Sequence, residues 1–332
     1  MAVKQDVSTV TTTATSWLSL DRLAPLASPI VAAVILVVLY FVGPDLDRSN
    51  LRLVTFGLMW VALTSSWNLI GGYTGYIDFG HSVFVGIGGY TVGILVARLA
   101  ILQEAAGAES AANLQFGQAL PIAFVIGALF ALIVGWPTLR LKGPYFAIAM
   151  LGTLVAMREV ARNNPLELTN GGKGISFLAP FAKPNDIFFM MLFLAGGIFF
   201  ISLWLYRTQI GKKLQAIRED EVGADMRGIN TTLIKILIFM LAGGLTAMVG
   251  GTKAYWDGYI DPDTIFPEDY HIQIIMMTML GGIGRPWGPV LGAALFYYGR
   301  NTIWASAGQL HLTITGLFLL AIVLYMPSGI LG

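Results

Sequence analysis

Asp78 and His81 stand three residues apart in GYIDFGHS, where a glycine-rich polar stretch gives way to apolar sequence. A carboxylate and an imidazole at that spacing can contact a polar solute, pass a proton, or hold one another in place. An ionisable side chain entering hydrocarbon is costly enough to mark a functional site by default. The competing reading is an N-cap, with Asp78 accepting from the first N–H groups of the following helix and favoured by its dipole, water being at hand. The capping reading weighs more. His271 and His311 lie far from His81 in sequence and share no metal-ligand spacing with it, so no metal site is expected. The chain has no cysteine, which removes disulfides, thiolate ligands and cysteine nucleophiles. Gly281-Gly282-Ile283-Gly284-Arg285 lacks the Lys-Ser/Thr that completes a phosphate-binding loop, and Gly171-Gly172-Lys173-Gly174 is too short for one. A Gly-x-Ser-x-Gly elbow and a His-Glu-x-x-His helix are both absent. No catalytic residue, cofactor or nucleotide site is therefore expected on this chain.

The elements that must position Asp78 and His81 are read from composition. Of 332 residues 56% are apolar and 12% charged, against about 25% charged in soluble domains. Too few charges exist to coat a soluble surface. A spanning helix needs about 20 predominantly apolar residues, and apolar stretches occur at 29–43, 51–70, 79–102, 119–137, 143–160, 186–206, 233–252, 270–283, 287–304 and 310–326. The expected fold is an all-α polytopic transmembrane bundle of about 8–10 spans, with some segments broken or re-entrant. Residues 1–28 read as a cytoplasmic N-terminal tail, and 29–332 as the membrane domain. A net charge of +1 and the lack of a long basic run give no sign of nucleic acid as a partner.

Arg207, Lys212, Lys213, Arg218, Arg227 and Lys235 cluster in one connection, which should face the cytoplasm. Counting outward, Asp257, Asp261, Asp263, Glu268 and Asp269 fall outside, and an even span count leaves both termini inside. Two glycine clusters are denser than packing requires: Gly71 to Gly89, and Gly281 to Gly292. Glycine-interrupted segments in the two halves of a transporter point to broken helices around a binding site. No register aligns the halves, and internal duplication stays open.

The loop RTQIGKKLQAIREDEVGADMRGIN (Arg207 to Asn230) suits a short amphipathic helix with Ile217, Glu221, Ala224 and Gly228 along one face. Small residues at Ala224 and Gly228 would let a partner's groove approach closely. Alternatively, Gly228 only caps the helix.

This loop is similar to the coupling loop of ABC-importer permeases, a Glu-Ala-Ala stretch followed three residues later by Gly. With Gly228 aligned to that glycine, Glu221 sits one place early. NLIGGYTGYIDFGHSVFVGIGGYTVGIL (68–95), LRLKGPYFAIAMLGT (139–153), TNGGKGIS (169–176), MLGGIGRPWGPVLGAAL (279–295) and the closing YMPSGILG resemble the permease subunits for branched-chain amino acids. The resemblance covers about residues 50–332. It implies a permease of an ATP-driven importer in a bacterial inner membrane, with Arg218, Glu219, Glu221, Ala224 and Gly228 in an ATPase-coupling loop at about 207–232. The family's corresponding segment lies near the solute pathway, which makes Tyr73, Asp78, His81 and Ser82 the candidate pathway residues. Implied partners are two ATP-binding subunits carrying ATP and Mg, a second permease subunit, a periplasmic or surface solute-binding protein, and membrane lipid. A urea or short-chain amide permease is the alternative within the class. An ion-coupled secondary transporter is the alternative outside it; that class should carry acids near mid-membrane.

Overall fold

The computed structural model describes residues 20–98, 116–141, 143–163, 168–177, 183–301 and 329–331. In chain order the elements are α1 (Leu20–Val42), α2 (Arg48–Thr74), α3 (Ser82–Gly93), α4 (Phe116–Thr138), α5 (Pro144–Asn163), β1 (Ile175–Ser176), α6 (Pro184–Arg207), α7 (Gln209–Glu219), α8 (Glu221–Met226), α9 (Thr231–Asp257), β2 (Tyr259–Ile260), α10 (Pro262–Ile265), α11 (Glu268–Gly281) and α12 (Trp287–Gly299). Among the described residues six segments are long and apolar enough to cross a bilayer: Ser28–Asp45, α2, α4, α5, α6 and α9. The chain is therefore a multi-pass helical membrane protein.

Local chemistry sets the helix ends. Asp47 caps α2 by accepting from the N–H groups of Ser49 and Asn50, and Gly75 closes it at φ 77°. Asn230 caps α9 through the Leu233 N–H, and Gly258 ends it at φ 73°. A left-handed residue at the C-terminal position satisfies orphan carbonyls at little cost only when it is glycine.

Contacts sort these ends onto two sides. On one side Arg218 of α7 donates to Gly72 O at 2.9 Å, Lys235 of α9 donates to Leu139 O at 3.0 Å, and Gly284 N donates to Asn68 Oδ1 at 2.9 Å. Trp287 Nε1 reaches Ser28 Oγ in α1 at 2.7 Å, and Ile330 N reaches Leu280 O at 2.9 Å. The Ser28 end of the first described crossing and residues 329–331 thus share the side of the charged loop. On the opposite side β1 pairs antiparallel with β2, Ile175 against Ile260, and Arg162 pairs with Asp263.

Three expected stretches take another form. The one at 79–102 opens as non-helical chain, becomes helix only at Ser82, and passes through a π-helical turn at Ile94–Arg98. Helices α11 and α12, of 14 and 13 residues, are about 20 Å long, short of the roughly 30 Å hydrocarbon core. They form a hairpin turning at Gly282–Arg285 against α2, and α12 runs on through a π-helical turn at 300–301 to the edge of the described residues. The stretch at 310–326 and most of the N-terminal tail lie outside the described residues, and α1 already begins at Leu20, inside the stretch read as tail.

Helix α9 is the hub, packed along α2, α3 and α4. Without a hydrophobic drive between helices in lipid, close approach must supply dispersion, and small residues allow it. A Cβ on Gly88 would fall 1.8 Å from the carbonyl oxygen of Ala247, and one on Gly250 would fall 2.2 Å from that of Val85. Both obstacles are backbone, which cannot swing aside. Gly88→Ala should therefore cost about 1–3 kcal/mol by forcing α3 from α9. Gly152→Ala, where a Cβ meets nothing within 4 Å, should cost none. Thermal unfolding of the two variants in detergent checks this; equal midpoints would contradict the packing.

Candidate functional site

A helix break is the first part of the site. After Gly75 the chain runs without helical hydrogen bonds to His81, and each exposed backbone group needs another partner. Thr74 Oγ1 accepts from Tyr76 N at 3.4 Å, Trp67 Nε1 donates to Asp78 O at 2.8 Å, and Asp78 Oδ1 accepts from Gly80 N at 2.8 Å. Gly80 O and His81 O then accept from Val83 N and Phe84 N, which start α3. Gly80 is required here because a Cβ would lie 2.0 Å from Met150 O.

Asp78, His81 and Ser82 are fully buried. Asp78 Oδ2 lies 3.0 Å from His81 Nδ1, and His81 Nε2 lies 2.8 Å from Thr246 Oγ1. Thr246 Oγ1 is 2.8 Å from Ser66 Oγ, which donates to Ala242 O at 2.8 Å. This row ties the broken segment to α9 and α2 at the level of Thr246, about 22 Å along a helix about 40 Å long. Asp78 accepts from Gly80 N, ahead of α3, whose N-cap position is His81 with no side-chain cap bond; the expected helix cap at Asp78 is thus corrected, and the carboxylate lies buried in the bundle. Ser82 Oγ has no hydrogen-bond partner among the described residues. Tyr73, also buried, bonds Ser202 Oγ at 2.7 Å and joins α2 to α6. All four candidate pathway residues are therefore interior.

What opens to the surface is their neighbourhood. A cleft of about 580 Å³ on the charged-loop side is lined by Tyr76, Ile77, Phe79, Ala147, Arg218 and Glu221, among others. Its size falls within the range of small-molecule sites. Ile77 and Phe79 present exposed side chains there.

The loop beneath the cleft is two helices instead of one. Thr208 caps α7 and Asp220 caps α8, where the chain turns. Gly211, Leu214 and Ile217 bury one face of α7 against the bundle. Ala224 is buried as well, and α8 ends at Met226, so Ala224 and Gly228 do not share a helical face. Gly228 has φ 81°, Ile229 N bonds Ala224 O and Gly228 N bonds Asp225 O, the pairing of a glycine C-cap. The expected single helix is corrected: the capping role of Gly228 stands, and the exposed apolar side chains of α8 are Val222 at 50% and Met226 at 83%, with Ile210 exposed on α7. Arg218 and Glu219 are exposed at the end of α7.

Sequence reasoning did not single out Lys235 as a site residue, nor Tyr76. Lys235 is 2% exposed, and its Nζ lies 2.6 Å from Glu221 Oε1, 2.8 Å from Tyr76 Oη and 3.0 Å from Leu139 O. Tyr76 Oη donates to Glu221 Oε2 at 2.6 Å. The available signal was a lysine in the first turn of the apolar run 233–252, which carries more meaning than a topological charge.

Comparison with known proteins bears on this site as a whole. The profile of a family described as "Branched-chain amino acid transport system / permease component" matches residues 49–326. The high-affinity branched-chain amino acid transport system permease protein LivM of Salmonella typhimurium is 25% identical over 316 residues, 86% of this chain and 70% of its own length. The probable branched-chain amino acid transport permease protein LivM of Methanocaldococcus jannaschii is 25% identical, covering 86% of this chain and 94% of its own. LivH of Escherichia coli, a high-affinity branched-chain amino acid transport system permease protein, is 25% identical over 84% of this chain and 93% of its own. No solved structure matches the chain.

Thr246→Val removes the hydroxyl between His81 and Ser66 and should lower stability by about 1 kcal/mol, the scale of interhelical hydrogen bonds in membranes. Thr153→Val loses only a bond to Ala149 O in its own helix and should be near neutral. Thermal unfolding in detergent compares the two; equal midpoints would contradict the bridging role of Thr246.

Proposed function

The chain belongs to the family of permease components of branched-chain amino acid transport systems, and from that membership we infer that it is the transmembrane permease subunit of an ATP-driven importer for branched-chain amino acids. The observation that carries the mechanism is the α7–α8 loop, a compact cytoplasmic platform with an apolar tip, packed directly under the broken segment. The cluster of basic residues on that loop orients it to the cytoplasm, which puts both ends of the chain there and β1, β2 and α10 outside. The membrane is the bacterial inner membrane.

ATP and Mg are handled by two partner ATPases that dock on the loop. Val222 and Met226, one turn apart on α8, are its contact residues, with Arg218 and Glu219 at the rim. A second permease subunit completes the pathway, and a solute-binding protein delivers cargo from outside. The 580 Å³ cleft is the inner mouth of that pathway: Ile77, Phe79 and Ala147 suit an aliphatic side chain, and Arg218 suits the carboxylate of an amino acid. Non-helical backbone at membrane depth is tolerated where it is packed in protein or lines a water-filled cavity, and residues 75–81 do both. Transport proceeds by alternating access, the docking loop moving with the ATPases.

Uptake of labelled leucine, isoleucine and valine against urea, in a strain lacking its own systems and expressing the full set of subunits, tests the assignment. Leucine, isoleucine or valine should be taken up and urea should not; urea uptake without leucine uptake would reassign the cargo. Met226→Asp should lower ATPase co-purification by about one to two decades of affinity, the equivalent of about 1–3 kcal/mol, with normal membrane abundance. Unchanged co-purification would remove α8 from the dock.

A further inference from the structure

We propose that Glu221, Lys235 and Tyr76 form the linkage that carries movement of the docking loop into the broken segment, making Lys235 and Tyr76 positioning residues for transport. The proposal rests on α7–α8 being the ATPase dock. Glu221 is the first residue of α8, yet its carboxylate turns inward, away from the exposed Val222 and Met226. Both oxygens are engaged at 2.6 Å, one by Lys235 Nζ and the other by Tyr76 Oη. An acid so occupied is not available to a docking partner.

Lysine has three donors, and Lys235 uses them on Glu221, Tyr76 Oη and Leu139 O. One ammonium group therefore joins α8, the segment after α2, the end of α4 and its own helix α9. The Tyr76 ring lies 4.2 Å from Nζ, adding a cation–π contact. Separating a buried pair of this kind leaves an uncompensated charge and is strongly opposed. The group thus moves as a unit.

Helix α9 grips the broken segment twice, through Lys235 at Tyr76 and through Thr246 at His81. The two grips are about 16 Å apart along the helix at its standard rise. The chain from Tyr76 to His81 reaches at most about 17 Å when fully extended, and its turn at Gly80 shortens it, so side chains span the remainder. The segment is held at both ends. A shift of α8 that carries Glu221 must therefore displace Tyr76 and with it Ile77 and Phe79, the residues that line the inner mouth.

The test uses the assembled transporter with ATPases and binding protein in proteoliposomes, measuring ATPase co-purification, ATP hydrolysis and leucine uptake. Tyr76→Phe removes only the hydroxyl and keeps the ring against Phe146, 5.4 Å between centroids. Lys235→Met keeps an unbranched apolar stem of similar length without the ammonium donors. Both variants should retain ATPases at wild-type stoichiometry and keep hydrolysing ATP, while uptake per ATP falls by at least about tenfold. The double variant should be no worse than the more severe single one, as expected for groups acting as a unit. Wild-type uptake per ATP in Tyr76→Phe overturns the linkage, as does loss of ATPase co-purification in Tyr76→Phe, which would make these residues part of assembly; should Lys235→Met fail to accumulate, Tyr76→Phe decides alone. Failure of the wild-type chain to retain ATPases would instead refute the docking reading itself.

Discussion

A peptide group buried away from water without a hydrogen-bond partner costs several kcal/mol, and residues 75–81 form a run of them outside any helix, from the charged-loop end of α2 to the level of Thr246. Much of the molecule is arranged around that cost. Trp67 and Thr74 lend side-chain atoms from α2, Asp78 turns back on Gly80, and His81 reaches Thr246. The crossing of α3 with α9 through Gly88 and Gly250 brings α9 near enough for the last of these. Remove the break, and a continuous helix would satisfy its own backbone but would leave no non-helical chain beside the cleft.

The same constraint links structure to transport. A helix responds to a push as a rod, whereas a non-helical segment held at two points can shift the side chains between them. Ile77 and Phe79 lie between the grips at Tyr76 and His81, and the docking loop lies against the first grip through Glu221. In the proposed function, movement of the loop on a partner subunit would reach the cleft through packed, hydrogen-bonded groups. The hairpin of α11 and α12 completes the wall: Gly284 N and Arg285 O are both bound by Asn68 of α2, so its turn is fixed at the same level as the C-terminal end of α2.

Hydropathy made the membrane fold legible, because lengths near 20 apolar residues have one common explanation. The glycine cluster from Gly71 to Gly89 likewise announced a break, and the order of motifs announced the family. Side-chain direction was not legible. The loop sequence REDEVGADMRG is equally compatible with one helix or two; Asp220 decides it by capping α8, a choice that depends on where the bundle receives Ile217 and Ala224. Asp78 was read as a helix cap at the water's edge, whereas it accepts from Gly80 N ahead of α3 and is buried; its burial depends on tertiary contacts such as that of His81 with Thr246, 165 positions away. Lys235 was counted as a surface charge because its partners, Tyr76 and Leu139, are 159 and 96 positions away.

The central claim is that the cleft beneath the broken segment is the inner mouth of the solute path and moves with the ATPase cycle. The chain contains no cysteine, so Ile77→Cys introduces a single thiol at that mouth. The measurement is its rate of reaction with a membrane-impermeant maleimide in the assembled transporter, applied from each side of the membrane, without nucleotide and with ATP trapped on the ATPases. The account expects reaction from the cytoplasmic side alone and a marked slowing when ATP is trapped. Reaction from the outer side only, or a rate indifferent to nucleotide, would contradict it.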